Sequence, residues 1–177
     1  IYGTGFLATT FKNVFEVIGR GGKNLFEEWN AEGAEAYLGT AVAGFPNLLF
    51  MVGPNSGLGH NSIVQIMESQ LNYILDYLKH LRKADTEQTY FDLKEEVQVN
   101  FNQEIQKQLS KMVWSAGNCK SYYLKNKDGK NTSIWPGSTV SFRRKTTKIE
   151  LKNYEVISPK NQVTAGFNPT VKEGFQS

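Results

Sequence analysis

The sequence contains a single cysteine, Cys119, in 177 residues, so no internal disulfide can form. A chain of this size without disulfides is typical of a reducing compartment, and we expect a cytoplasmic protein. Histidine is almost as scarce, with two residues at positions 60 and 80. Two distant histidines and one cysteine do not have the spacing of zinc ligands, so we expect no metal site.

Long hydrophobic runs and a strong net charge are also lacking. The longest apolar run, at 48–52, is too short to span a bilayer. The sequence shows no basic segment followed by an apolar one that would indicate a signal peptide. The 20 basic and 17 acidic residues leave a net charge of +3, which gives no argument for nucleic acid binding. In a cytoplasmic protein the sequon at Asn131 would be a chance occurrence.

The composition that remains is that of a globular domain. Hydrophobic residues make up 40% of the chain, aromatic residues 12% and charged residues 21%, which excludes a disordered, collagen-like or coiled-coil chain. The sequence has no internal repeat. It opens on the apolar segment Ile1–Phe6 without a methionine, and we interpret it as a piece of a longer protein.

Several short strands are predicted by apolar runs between turn residues. The run at 48–52 is bounded by Pro46 and by Gly53-Pro54, which predicts a fully buried strand of a parallel sheet. Residues 1–6, 14–18 and 90–93 are shorter candidates, and residues 37–43 are ambiguous. Glycines at 19–22 predict a turn. Residues 114–142 indicate one or two strands with long turns.

Helical periodicity is clearest in two segments. After the glycine-rich loop 55–60, apolar residues keep a spacing of three to four on one stripe of a long helix: Ile63, Met67, Leu71, Ile74, Leu75, Leu78 and Leu81. Asn61 or Ser62 can cap its start. A second amphipathic helix carries Val97, Phe101, Ile105, Leu109, Met112 and Val113, and residues 25–29 predict a single helical turn.

The predicted strand, glycine-rich loop and helix at 48–81 form the segment best suited to bind a ligand. A helix start presents unpaired N–H groups and a partial positive charge, which suits a phosphate or another electron-rich group. The segment has neither the P-loop lysine motif nor the G-x-G-x-x-G fingerprint. Two interpretations stay open on these residues alone: an anion or cofactor site, or a turn that lets the helix pack closely.

The run Gly44–His60 resembles the C-terminal part of flavin-containing monooxygenases of the Baeyer–Villiger type. Further segments follow in the family's order. Ile1–Phe6 is similar to its "ATGF" strand and turn, with Gly3 in place of alanine. Cys119–Tyr123 and Trp135–Thr139 resemble parts of its C-terminal extension. The similarity extends from residue 1 to about residue 155.

The resemblance implies an α/β fold. The chain would be the C-terminal half of a Rossmann-like FAD-binding lobe, in a flavoprotein with two dinucleotide-binding domains, plus a mixed α/β C-terminal extension. Residues 1–6 would return from an NADP lobe, residues 7–84 would complete the FAD lobe, residues 85–157 would form the extension or cap, and residues 158–177 a polar tail. The remaining FAD segment and the NADP lobe would be partners from the same longer chain.

The resemblance also implies a function for that longer protein. It would bind FAD and NADP, form a C4a-peroxyflavin with NADPH and O₂, and pass one oxygen to a ketone or a soft heteroatom. This chain would be inactive alone. It would contribute the loop at the pyrimidine end of the flavin: Gly53, Asn55, Gly57, Leu58, Gly59, His60 and Asn61. Ile63 matches a position on the nicotinamide and substrate side.

Three further cofactor-contact candidates are weaker. Thr4 and Gly5 match positions that line the flavin. Tyr122 stands where many relatives have tryptophan near bound NADP, which leaves that contact open.

Arg143–Lys145 is either a contact to the NADP phosphate or a solvated basic turn. His60 is either a catalytic base or a loop residue whose ring N–H fixes the turn; we predict no catalytic residue in this chain.

Two other functional classes are compatible with the residues. The chain could be a standalone, non-catalytic binding or interaction module that kept the flavin-side loop, or a purely structural domain. If it is a piece of a larger lobe, apolar patches should be uncovered and the isolated chain should self-associate.

Overall fold

The computed structural model describes residues 15–59, 61–84, 88–116, 124–125 and 130–158. Its helices are α1 (Leu25–Glu32), α2 (Ile63–Arg82), α3 (Glu95–Leu109), α4 (Val113–Ala116) and α5 (Thr139–Lys145). Its strands are β1 (Tyr90–Leu93), β2 (Leu124–Lys125), β3 (Lys130–Asn131) and β4 (Tyr154–Ile157). This mixture of helices and strands agrees with the predicted α/β class. The strand predicted at 1–6 lies outside the described residues.

The segment before α1 is a turn rather than a strand. Of the strand predicted at 14–18, the described part forms only an isolated bridge between Ile18 and Asn24. The turn predicted between them is present, with Gly21 and Gly22 at φ of 69° and 78°. Asn24 then caps α1, because its side-chain oxygen accepts from the N–H groups at 26 and 27. α1 has eight residues, more than the predicted single turn.

The prediction of a buried parallel strand at 48–52 is wrong for the described chain. Leu49 makes one antiparallel bridge, to Ala41, which itself pairs with Tyr37 across a tight turn. Met51 and Val52 are 43% and 42% exposed. A strand is buried on both faces only when strands flank it and helices cover it, and within the described ranges nothing does so here.

Helix α2 confirms the predicted long helix, but the apolar stripe singled out by its spacing is not the buried face. The side chains buried along α2 are Ile66, Ser69, Gln70, Tyr73 and Tyr77. Polar groups can be buried there because they have partners. The Gln70 amide donates to two backbone carbonyls of the 37–41 turn, and the Tyr77 hydroxyl lies within hydrogen-bond distance of the carbonyls of Pro46 and Phe91, to either of which it can donate.

Strand β1 was predicted, and it pairs with β4 in an antiparallel ladder that joins Phe91 to Val156 and Leu93 to Tyr154. Both strands contribute to one core cluster with α2, in which Tyr73 and Tyr77 pack against Phe91, Leu93 and Tyr154. The described strands form two antiparallel pairs, β1 with β4 and β2 with β3.

Helix α3 confirms the second predicted helix, although it ends at Leu109 and leaves Met112 and Val113 beyond it. Helix α5 was not predicted. The Ser138 hydroxyl caps it by accepting from the N–H of Ser141, and Phe142 is fully buried against Trp135. None of the described helices is long and apolar enough to cross a membrane.

Candidate functional site

The glycine-rich loop before α2 has two halves with different surroundings. The first half, 53–57, is packed against its own chain. Gly53 N–H donates to the Gly39 carbonyl, Asn55 N–H to the Thr132 carbonyl at 2.8 Å, and Gly57 N–H to the Ser133 carbonyl at 2.8 Å. These three amides are therefore occupied by carbonyls of the chain itself.

The glycines of this half are explained by close backbone contacts. A Cβ on Gly57 would lie 2.7 Å from the Ser133 carbonyl oxygen, and a Cβ on Gly53 would collide with the Gly39 carbonyl oxygen. The loop therefore needs glycine at 53 and 57 for its own packing against these carbonyls.

Asn55 is the residue that fixes the shape of the first half. Its backbone is left-handed, with φ at 54°, a conformation that asparagine tolerates better than most residues. Its side chain is buried, and the amide nitrogen donates to the carbonyls of Asn131 (2.7 Å) and Ile134 (3.1 Å). The amide oxygen has no partner among the described residues.

The segment that receives these bonds, 131–135, was not among the predicted site residues. It pairs with the loop through a parallel bridge between Gly57 and Ile134, closed by a bond from Trp135 N–H to the Gly57 carbonyl. Gln106 of α3 in turn holds the Asn131 backbone with both its amide atoms. The only signal in the sequence was the polar cluster before Trp135-Pro136. It predicts a turn but does not indicate that the turn pairs with the glycine-rich loop.

The second half of the loop is open. Gly59, Asn61 and Ile63 are exposed, Ile63 by 38%, whereas Leu58 is partly buried beside the cluster that contains Trp135 and Phe142. Ser62 is at the N-cap of α2 without a capping hydrogen bond from its side chain. Among the described residues, no acceptor receives the N–H groups of Ile63 and Val64. The first turn of α2 therefore presents two donors without an acceptor in the described part of the chain, together with the positive end of the helix dipole.

Asn61 orients this open half. Its side-chain oxygen accepts from the N–H of Ser62, and its nitrogen donates to the Thr139 hydroxyl at the start of α5. His60 lies outside the described residues, as do Thr4, Gly5 and Tyr122. The structure thus brings Leu58, Gly59, Asn61 and Ile63 together at one exposed helix start.

Two cavities flank the loop. The first, of about 370 Å³, lies beside 53–57, and aromatic side chains of Phe26, Trp29 and Phe50 form part of its wall. The second, of about 380 Å³, lies between α2 and α5 and is lined mainly by polar side chains, including Asn61, Gln65, Glu68 and Arg143. Both are within the size range of small-molecule sites.

The loop fits a flavin in part. A negative charge on a reduced ring needs unoccupied donors, and these are found at the start of α2, not at Gly53, Asn55 or Gly57. Arg143 is exposed and lines the polar cavity. This position is compatible both with a contact to the NADP phosphate and with a solvated basic turn. Three buried tyrosines, Tyr73, Tyr77 and Tyr154, have pKa values raised by burial, but they belong to the core.

Similar proteins are found by sequence. The chain is 44% identical over 156 residues to a Baeyer–Villiger monooxygenase of Pseudomonas aeruginosa and 40% identical over 159 residues to one of Streptomyces coelicolor. These matches cover 88% and 90% of this chain but 29% and 30% of the relatives. The chain thus spans less than a third of their length, which fits the prediction of a piece of a longer protein. No protein-family model matches the chain.

Solved structures show the same fold. A cyclohexanone monooxygenase of Rhodococcus bound to NADP+ superposes with a TM-score of 0.66 at 20% identity, over 81% of this chain and 27% of that structure. A complex of OTEMO with FAD and NADP gives a TM-score of 0.64 at 19% identity, over 81% of this chain and 26% of that one. Sequence and fold therefore agree with the predicted resemblance, and the chain is a homologue of the C-terminal part of Baeyer–Villiger monooxygenases.

Proposed function

We propose that this chain is part of an NADPH- and O₂-dependent flavin monooxygenase that inserts oxygen next to the carbonyl of a ketone. The observation that carries the proposal is the 44% identity over 156 of the 177 residues, a match long enough to include the whole loop and all of α2. Relatives named Baeyer–Villiger monooxygenases, and a related structure that holds FAD and NADP, support both cofactors.

When bound, FAD would supply the redox chemistry that couples NADPH and O₂ to oxygen transfer. The residues of this chain bind and orient it. The free N–H groups at the start of α2 and the dipole of this 20-residue helix would favour negative charge at the pyrimidine end of the ring. Asn61 would keep Gly59 and Ile63 in place through its bonds to Ser62 and Thr139.

In this proposal Gly53, Asn55 and Gly57 act indirectly. They fix the path of the backbone into α2, since their amides are bonded to carbonyls of the chain. Leu58, packed beside Trp135, would shield the same edge from water. Thr4, Gly5, His60 and Tyr122 keep their proposed cofactor contacts from the resemblance. Residues 7–84 would complete the FAD lobe and residues 85–157 would form the extension.

The test is made on the product of the full reading frame that contains this segment. The purified protein should carry FAD, seen by its visible absorbance, and a cyclic ketone should stimulate NADPH oxidation. The product should be an ester or lactone heavier by one oxygen atom. Oxygenation of a thioether but not of any ketone would replace the Baeyer–Villiger reaction with heteroatom oxidation.

The competing function is a standalone, non-catalytic binding module. A reading frame without dinucleotide-binding fingerprints upstream of Ile1, together with a product that lacks flavin, would favour that module and overturn the monooxygenase proposal.

A variant tests the role of the helix start. Replacing Ile63 with Pro leaves a favourable residue at the first helical position but removes one free N–H donor, whereas Ile63→Ala keeps the donor and shortens the side chain. If the donor stabilises reduced flavin, Ile63→Pro should lower the flavin reduction potential more than Ile63→Ala does. Equal potentials in the two variants would contradict the donor role.

A further inference from the structure

The junction between the glycine-rich loop and the 131–135 segment contains buried polar atoms without a partner. Asn55 and Asn131 are 1% and 0% exposed. The side-chain oxygen of Asn55 has no hydrogen-bond partner among the described residues, and neither has the side-chain nitrogen of Asn131. The first atom is an acceptor and the second is a donor. Because buried polar groups are normally hydrogen-bonded, this pair indicates a bound group at the junction.

The two side chains lie against the same short segment, 131–134. The Asn55 amide nitrogen donates to the carbonyls of Asn131 and Ile134 at 2.7 and 3.1 Å. The Asn131 side-chain oxygen accepts from the N–H groups of Ser133 and Ile134 at 3.1 and 3.0 Å. These four bonds fix both amides, since turning either one over would place oxygen against a carbonyl or nitrogen against an N–H. The two unpartnered atoms therefore cannot be satisfied by a change of amide orientation.

A third unpartnered atom belongs to helix α3. Asn102 is 2% exposed, and its side-chain oxygen has no partner in the described part of the chain. Its side-chain nitrogen donates to the Gln98 carbonyl, which fixes this amide as well. Asn102 is four residues before Gln106, which bonds both backbone polar groups of Asn131, so Asn102 and Gln106 are on the same side of α3. That side of α3 brings a second buried acceptor to the junction.

The chemistry of the three atoms selects the bound group. The Asn131 amide N–H would repel a metal cation, and the two amide oxygens would repel an anion. A water molecule can donate two hydrogen bonds and accept others, and buried waters typically make about three bonds to protein groups that are otherwise unpaired. Pro54 and Thr132, the neighbours of Asn55 and Asn131 in sequence, line the cavity of about 370 Å³ beside the loop, so open volume adjoins the junction.

We propose that the junction binds one internal water molecule, which donates to the side-chain oxygens of Asn55 and Asn102 and accepts from the side-chain nitrogen of Asn131. The inference does not depend on the proposed function, because all three partners are side chains of this chain. Gln106 holds the 131–134 segment directly, and the water holds Asn55. Helix α3 is thus connected by two routes to the loop that leads into α2.

The experiment compares the product of the full reading frame with its Asn102→Leu variant. Leucine has nearly the shape of asparagine but places a methyl group where the side-chain oxygen was. A water about 2.8 Å from that oxygen would collide with the methyl group, since carbon and oxygen need about 3.5 Å. Crystal structures that resolve ordered waters should show a density peak within about 3.2 Å of all three atoms in the unsubstituted protein, and no peak there in the variant.

A control variant and a solution measurement complete the test. Gln103→Leu changes an exposed neighbour on α3 and should keep the density peak. Magnetic relaxation dispersion of the water signal counts long-lived internal waters without crystals. Asn102→Leu should lower that number by about one per chain, and Gln103→Leu should leave it unchanged. If Asn102→Leu does not fold, Asn102→Met fills the same space with a flexible side chain and should also expel the water.

Three results would overturn the proposal. A direct hydrogen bond between the side-chain oxygen of Asn55 and the side-chain nitrogen of Asn131 would leave no group for a water to bridge. A side chain from the remainder of the longer protein, bonded to these atoms, would take the place of the water. A density peak, or a number of long-lived waters, that is the same with and without Asn102→Leu would exclude Asn102 from the site.

Discussion

At the scale of single residues, the glycines of the loop are determined by backbone contacts within the chain. Gly57 lies against the Ser133 carbonyl. A Cβ added at Gly21 would meet open space, so only its positive φ of 69° favours glycine there. These two positions separate the effect of a contact from the effect of backbone conformation.

Replacing Gly57 with alanine should therefore destabilise the fold by about 1–3 kcal/mol, because the added methyl group must displace backbone. Gly21→Ala is the control and should cost about 1 kcal/mol for its left-handed conformation alone. Urea denaturation of both variants measures the difference. A Gly57 variant no less stable than the Gly21 variant would refute the close contact.

Three buried tyrosines should make the folded state less stable at alkaline pH. Burial raises the pKa of Tyr77 from 10.0 to about 12, and it raises the pKa of Tyr73 and Tyr154, whose hydroxyls are hydrogen-bonded to each other. Below pH 10 these groups are neutral in both the folded and the unfolded chain, so they add no pH dependence. Above it the unfolded chain ionises first, which favours unfolding.

The melting temperature should consequently fall steeply as the pH rises from 10 to 12. Tyr73→Phe removes one of the groups that resist ionisation, so its melting temperature should fall less steeply over the same interval, even if it starts lower. Thermal melts followed by circular dichroism at several pH values test this. Parallel curves for the two proteins would count against the role of Tyr73.

At the scale of elements, the extension holds the loop in place. Gln106 on α3 bonds both the N–H and the carbonyl of Asn131, whose neighbours receive the amides of Asn55 and Gly57. The side chain of Gln108, on the same helix, donates to the exposed carboxylate of Glu104.

Gln106→Ala should lower the free energy of unfolding by about 1–3 kcal/mol, because the buried N–H of Asn131 loses its acceptor and the Asn131 carbonyl keeps only the bond from Asn55. Gln108→Ala should change it by less than about 0.5 kcal/mol. Chemical denaturation compares the two variants. Similar losses in both would mean that Gln106 does not anchor the loop.

The sequence predicted those elements whose signals are local. The existence of α2, α3 and β1 followed from periodicity and turn residues, and all three are present. The buried strand at 48–52 was wrong because burial depends on neighbours that the chain's described residues do not supply. α5 was missed because seven residues carry little periodicity, although Ser138 was a usable capping signal.

The sequence predicted where the candidate site lies in the chain, but not which residues contact one another there. Gly53 and Gly57 marked the loop, but their pairing with 131–135 joins residues more than 70 positions apart, and no local pattern encodes such a contact. The resemblance placed the loop next to a flavin without showing which amides were free.

At the scale of the whole molecule, the described chain contains three small core clusters, two of which are both in contact with Phe101. Phe15, Met51, Val64 and Leu75 are among the large apolar side chains that are more than 40% exposed. This distribution suits a chain that packs against a larger body.

The isolated 177-residue chain should therefore bind FAD weakly, because the adenine and pyrophosphate contacts of the lobe would lie in the remainder of the longer protein. It should also self-associate and bind a hydrophobic dye. Titration with FAD, light scattering and dye fluorescence measure these properties. Tight binding with a yellow protein, or a monodisperse monomer that ignores the dye, would contradict the corresponding expectation.

The pairing of the loop with residues 131–135 has a consequence for synthesis. A nascent chain that has left the ribosome only as far as α3 contains Asn55 and Gly57 but none of the carbonyls to which they donate. The loop can take its final shape only after Trp135 has emerged. If the helix start binds a flavin as proposed, this part of the site would be complete only late in translation, after α2 and α3 have left the ribosome.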